Sequence, residues 1–183
     1  MTTDAPAPTS RLDRLRAAYR TRRAFRWLVE GGVLLLLVGL IGAWQTRRHL
    51  SNVPPPAFTL ATLNGGTVSS SSLAGKPTML VLWAPWCGVC KAQSGNVNRV
   101  QRWLAGRANV VSIALAWEEK TSVEAYVREG GVEYPVLLGT PGLEAAFHVE
   151  AFPTVYFLDD TGRIKRSAAG YTTTLGMLWR LLL

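Results

Sequence analysis

The chain has 183 residues, 48% of them hydrophobic, with a formal net charge of +8. Two cysteines are too few for a disulfide scaffold, and the apolar content excludes a disordered polyelectrolyte. Seven arginines and two acids precede Trp27, while residues 58–183 hold 11 Lys/Arg against 9 Asp/Glu. A charge this localised gives no support to nucleic-acid binding.

Residues 1–26 read as a basic segment. Trp27 to Trp44 then runs 18 residues with Glu30 as its only charge. As a helix it spans about 27 Å, close to the hydrocarbon thickness of a bilayer, and no polar face is left for water. We expect a transmembrane anchor over residues 27–46. The arginine excess puts residues 1–26 in the cytoplasm and the rest outside, as a single-pass inner-membrane protein with a periplasmic domain. Thr21-Arg22-Arg23-Ala24-Phe25 also resembles the start of a twin-arginine export signal. Arg26 stands where that signal has an apolar residue, and no Ala-x-Ala site follows near Trp44, so an uncleaved anchor is expected. Residues 47–57, with Pro54-Pro55-Pro56, read as a stiff linker.

Residues 58–183, 126 in all, suit one α/β domain with a single core. The apolar run from Pro77 to Ala84 reads as a buried strand, and Lys91 to Leu104 as a helix. Val110–Leu115 is a second buried strand. Ser122–Glu129 is a short helix with Thr121 as its cap. Val136–Leu138 is extended, and Gly142–Phe147 is helical. Val155–Leu158 and Arg163–Ala168 form a hairpin across Asp160-Thr161-Gly162. Thr173–Leu183 closes the domain as a helix. Trp103, Trp117 and Trp179 are expected to pack, not to cage a ligand.

The chemistry lies in Trp86-Cys87-Gly88-Val89-Cys90. Two cysteines separated by two residues at a helix start place both sulfurs on one turn. Strand, tight turn, CxxC and helix make a layout suited to thiol–disulfide exchange. The reactive form is the thiolate, and a free cysteine, with a pKa of about 8.5, is mostly protonated at neutral pH. Cys87 would meet the unpaired N–H groups of the helix N-terminus, which favour an anion. Cys90, one turn in, would resolve a mixed disulfide formed at Cys87. Trp86 is expected to cover the pair. Other readings stay open at this point. A closed zinc site needs four ligands, and His49 and His148, the only histidines, lack the spacing. A two-thiolate copper(I) site is chemically possible. A structural bridge would close too short a loop to add much stability.

The run from Phe58 to Leu178 resembles the TlpA/ResA-type branch of thioredoxin-like proteins. The landmarks are Phe58-Thr59-Leu60 with Asn64-Gly65-Gly66, then Leu73-Ala74-Gly75-Lys76-Pro77. Trp83-Ala84-Pro85-Trp86-Cys87-Gly88-Val89-Cys90-Lys91, Phe152-Pro153-Thr154 and Asp159-Asp160-Thr161-Gly162 follow. The Gly88-Val89 dipeptide is similar to the suppressor-of-copper-sensitivity disulfide oxidoreductases. The resemblance implies a thioredoxin-like fold, a central mixed sheet flanked by helices. It implies that Pro153 is a cis-proline facing the CxxC, with Phe152 shaping contact to a substrate chain.

Two departures stand out. Thioredoxins place an aspartate six residues before the first cysteine, and here Val81 stands there. ResA-like and cytochrome-maturation members place a glutamate six residues after it, and here Gln93 stands there. Proton handling at Cys90 would then fall to water, Glu150 or another group, and Lys91 could help lower the Cys87 pKa. The missing glutamate argues against a dedicated cytochrome c maturation reductase.

The expected function is membrane-anchored extracytoplasmic thiol–disulfide exchange on protein substrates, with the reductase direction favoured. No cofactor is expected beyond the Cys87–Cys90 couple, and no metal. The expected partners are protein disulfides or dithiols and a membrane thiol donor or acceptor. The alternatives are a copper(I)-binding protein using the CxxC, or a disulfide oxidase or isomerase. A peroxidase is disfavoured because the Pro/Thr/Cys setting of a peroxidatic cysteine is absent around Cys87.

Overall fold

The computed structural model describes residues 50–182 and, ahead of them, residues 25, 27–34, 36, 37 and 40. Residues 27–34 are helical, and Trp27, Leu28, Val29, Val33 and Leu34 are exposed. Among the described residues no helix is long and apolar enough to cross a membrane. The anchor expected over 27–46 lies partly outside the described residues.

The domain from residue 50 onward is built on β3 (Thr78–Trp83), which is buried at every position. It pairs in parallel with β4 (Asn109–Ala114), which pairs in parallel with β5 (Val136–Leu138). On its other edge β3 pairs antiparallel with β6 (Thr154–Leu158), and β6 with β7 (Ile164–Ala169). The strand order is β5-β4-β3-β6-β7. This is the expected mixed sheet. A separate hairpin, β1 (Thr59–Ala61) with β2 (Thr67–Ser69), leads into a 3-10 turn at Ser70–Leu73. This hairpin holds the Phe58-Thr59-Leu60 and Asn64-Gly65-Gly66 landmarks and adds two strands to those expected.

Strand side chains alternate between faces, so β3 feeds two cores. Met79, Val81 and Trp83 enter the first, with Cys87, Cys90, Val97 and Val100. Its helices are α1 (Gly88–Trp103), α2 (Lys120–Gly130) and α4 (Thr174–Leu182). Leu80 and Leu82 enter the second, with Leu60, Leu73 and Phe147. The short α3 (Leu143–Ala146) covers that side through Leu143.

The helix ends differ from expectation in two places. α1 begins at Gly88, three residues before Lys91, because the Cys87 side chain itself caps it. α2 begins at Lys120 with Glu119 at the N-cap position, so Thr121 lies inside the helix and is not its cap. The Thr121 hydroxyl instead hydrogen-bonds the Glu119 carboxylate at 3.1 Å. α2 ends on Gly131 at φ 58°, a left-handed position where glycine carries no Cβ penalty.

Polar side chains buried on the first face fix α1 in place. Asn98 Nδ2 donates to Gly131 O at 2.7 Å, and its Oδ1 accepts from Glu133 N at 3.1 Å. Asn96 Nδ2 donates to Thr172 O at 3.1 Å. Asn52 and Val53, placed by sequence in the linker, exchange hydrogen bonds with Ile164 at the start of β7, at 2.8 and 2.9 Å.

Candidate active site

β3 and β4 run parallel, so the turns that leave them emerge at one edge of the sheet. The turn after β3 carries Pro85, Trp86 and Cys87. Cys87 and Cys90 form a disulfide with a Cα–Cα distance of 5.3 Å. Cys87 Sγ also accepts the Cys90 N–H at 3.1 Å. A sulfur at a helix cap sits where backbone donors stabilise a thiolate once the bond is reduced. Both cysteines are buried, at 7% and 3% exposure. Gly88 and Val89 between them are exposed, and a Cβ added at Gly88 would meet open space.

Trp86, expected as a cover over the pair, is itself 69% exposed. Its indole N–H donates to Ala116 O at 3.1 Å. Its ring meets Phe152 edge-on, with centroids 5.6 Å apart. Trp86 thus joins the CxxC turn to the loop after β4 on one side and to Phe152 on the other. The Phe152–Pro153 peptide is cis, as the resemblance implied. Pro153 is buried and immediately precedes β6, whose Thr154 pairs with Leu82. That register sets Pro153 at the same end of the sheet as Trp83 and the cysteines.

The positions flagged as departures are both in the core. Val81 is buried in the cluster that holds the cysteines. Gln93 is 1% exposed; its Oε1 accepts the Thr172 N–H at 2.6 Å, and its Nε2 has no hydrogen-bond partner. Neither side chain can accept a proton at physiological pH. Glu150 is exposed on the loop before Phe152.

Lys91, in the first turns of α1, is bound to Glu129 at 2.6 Å. The Lys91 hydrogen bond and charge hold the Glu129 carboxyl below its ordinary range. The ammonium is thus engaged by a carboxylate of α2. Tyr126 stacks on Trp83 with ring centroids 3.9 Å apart, and burial pushes its phenol well above the ordinary 10. It stays protonated, so it offers no base to the site.

Sequence reasoning missed the loop after β4, which runs Ala116-Trp117-Glu118-Glu119. Trp117 is held by its indole N–H on Gly139 O at 3.0 Å. A Cβ at Gly139 would stand 2.6 Å from Ala114 O and 2.5 Å from Leu115 Cδ2, so only glycine lets β5 end this close to β4. The signal was available: ligand sites form beyond the carboxyl ends of parallel strands, and this loop leaves β4 beside the CxxC. Among the described residues no group of three or more His, Cys, Asp or Glu side chains could hold a metal ion.

The profile of the AhpC/TSA family matches residues 52–167. "Thioredoxin-like protein YneN" of Bacillus subtilis is 30% identical over 85% of this chain and 96% of its own length. "Thiol-disulfide oxidoreductase ResA" of the same organism is 26% identical over 81% of this chain and 87% of its own. A crystal structure of a thiol:disulfide interchange protein of the thioredoxin family from Chlorobium tepidum TLS superposes with a TM-score of 0.63 at 28% identity. It covers 71% of this chain and 94% of that one.

Proposed function

This chain belongs to the AhpC/TSA family and is a thiol–disulfide oxidoreductase of thioredoxin-like type, and from that premise we propose a membrane-anchored, extracytoplasmic enzyme that reduces protein disulfides. The observation that carries this reading is the Cys87–Cys90 disulfide at the cap of α1, with Cys87 Sγ on the Cys90 N–H. In the reduced enzyme the Cys87 thiolate attacks one sulfur of a substrate disulfide. A Cys87–substrate bond forms and one substrate thiolate leaves. The Cys90 thiolate then attacks Cys87 Sγ, the second substrate thiolate leaves, and the Cys87–Cys90 bond is restored. Two electrons pass from the pair to the substrate. Trp86, Gly88, Val89, Phe152 and Pro153 form the surface that receives the substrate chain. No cofactor beyond the cysteine pair takes part, and a membrane thiol donor returns the electrons.

Support for the reductase direction comes from the surroundings of Cys87. A strong oxidant owes its potential to a stabilised reduced form. Here Lys91 is spent on Glu129, and the helix terminus is left as the main support for the Cys87 anion. The anchor rests on Gly31–Trp44, which has no charge, and on Trp27, Leu28, Val33 and Leu34, apolar residues exposed on a helix. Such a helix calls for a lipid environment.

The test uses the full chain in cells. Cys90→Ala should trap a partner on Cys87 as a mixed disulfide, and the Cys87→Ala/Cys90→Ala double variant should not. No trapped partner, together with stoichiometric copper(I) binding and no disulfide turnover, would overturn the reading in favour of a copper carrier. A potential near that of thioredoxin, about −270 mV, supports the reductase direction. A potential near that of an oxidant, about −120 mV, reverses it.

A further inference from the structure

A cavity of about 500 Å³ opens beside the CxxC turn, and the disulfide chemistry alone does not require it. Trp86 borders it on the cysteine side, Trp117 and Tyr126 add aromatic surface, and Glu118, Glu119 and Glu129 supply its charge with Lys91. The cavity therefore carries three carboxylates against one ammonium, in a chain whose overall charge is +8. Lys91 is bound to Glu129. Among the described residues no ion pair engages Glu118 or Glu119, although Glu119 accepts a hydrogen bond from Thr121.

The walls are set in place. Ala116 sits in the left-handed region at φ 47°, a conformation that costs free energy in a residue with a Cβ. Its N–H donates to Glu144 Oε1 at 2.9 Å and its carbonyl accepts Trp86 Nε1 at 3.1 Å. Trp117 is tied to Gly139. The cavity is thus preformed, and Trp86 separates it from the Phe152 side.

We propose that this groove docks the segment of the substrate protein flanking the attacked cysteine, and that it selects segments with a basic side chain next to an apolar one. The aromatic surface takes the apolar side chain and the stem of a lysine or arginine. Glu118 and Glu119 face its charge. This rests on the oxidoreductase reading and adds the class of substrate to it. The same carboxylates repel acidic disulfides, such as that of glutathione. A charge-steered groove raises the rate of encounter and loses that advantage in salt.

The experiment uses the reduced full chain and synthetic peptides whose single cysteine is joined to thionitrobenzoate. One peptide carries Lys and Leu beside the cysteine, and its twin carries Glu and Leu. Attack of the Cys87 thiolate on the peptide sulfur releases coloured thionitrobenzoate, and Cys90 then frees the peptide thiol. The rate for the Lys peptide should exceed that for the Glu peptide about tenfold at low salt. The ratio should fall towards one at 1 M salt, and at low salt in the Glu118→Gln/Glu119→Gln variant. Taking the ratio cancels any general change in reactivity. A ratio near one in the wild type, or one that the double variant does not change, overturns the groove while leaving the function standing. Failure of the wild type to react even with 4,4′-dithiodipyridine, a small uncharged disulfide, overturns the function and this inference with it.

Discussion

The two faces of the sheet are built on different principles. The second face is held mainly by non-directional packing: Leu80, Leu82, Phe147 and Ile164 are fully buried, and Phe58 and Tyr156 tilt against Phe147, with the Tyr156 hydroxyl donating to Phe147 O as a buried directed bond. The first face is held as much by directed hydrogen bonds, through Gln93, Ser94, Asn96 and Asn98 of α1. The reactive pair is on that first face. Apolar contacts let a helix slide or turn by fractions of an ångström, whereas a buried amide that bridges two backbone groups does not. The side that must aim a sulfur is the side pinned by amides, and the other side supplies bulk stability.

Substitutions on each face should separate those two contributions. Phe147→Ala removes a fully buried ring from the second face and should cost about 3–5 kcal/mol in denaturant unfolding. Where the protein remains folded, its exchange rate per molecule should be unchanged. Asn98→Ala strands the Gly131 carbonyl and the Glu133 N–H, and should cost about 2 kcal/mol. Unlike Phe147→Ala, it should also slow exchange per folded molecule, because α1 loses a bond to the end of α2. An unchanged rate would remove the distinction between the faces.

Gln93→Met tests the first face more finely. It strands the Thr172 N–H but removes the unpartnered Nε2, so the two effects oppose and the net change should stay within about 1 kcal/mol. The smallest effect is an acid response at the hairpin beyond both faces. The Thr161 hydroxyl, aided by the Arg163 N–H and Lys165, holds the Asp159 carboxyl down to about 2 from an ordinary 3.8. Its folded value lies below its unfolded value. Its contribution is therefore complete above pH 3.8 and is lost as pH falls to about 2. Asp159→Asn should lower stability slightly at pH 7 and flatten its change between pH 3.8 and 2, so that variant and wild type converge near pH 2, as acid titration of the unfolding midpoint would show.

Much of this was legible in the residues. The run Met79-Leu80-Val81-Leu82-Trp83 is continuously apolar because β3 is central and covered on both faces. The helix expected over Ser122–Glu129 lies within α2, which buries Val123 and Tyr126. The CxxC and Phe152-Pro153 were legible as a site because their residue types carry specific chemistry. Other features were not. β1 and β2 have three residues each, too short for alternation to register. Thr121 looked like a cap because its residue type suits one, but Glu119 takes the position. The orientation of Trp86 depends on the Ala116 carbonyl, 30 residues away in the chain, and no local pattern encodes that distance. The Trp117-Glu118-Glu119 surface differs: its place after a parallel strand was a usable signal, and parallel pairing is what brings it to the cysteines.

The exchange between Asn52, Val53 and Ile164 also bears on how the protein avoids its own kind. β7 is an edge strand, and an edge offers unpaired backbone groups to any neighbouring chain. Residues 52 and 53 occupy both backbone groups of Ile164, and the exposed Lys165 follows at once. The segment that leads into the domain thus acts as a guard strip along its open margin. A chain begun at Phe58 would keep the sheet and the cysteines, yet bare the start of β7 to intermolecular strand pairing.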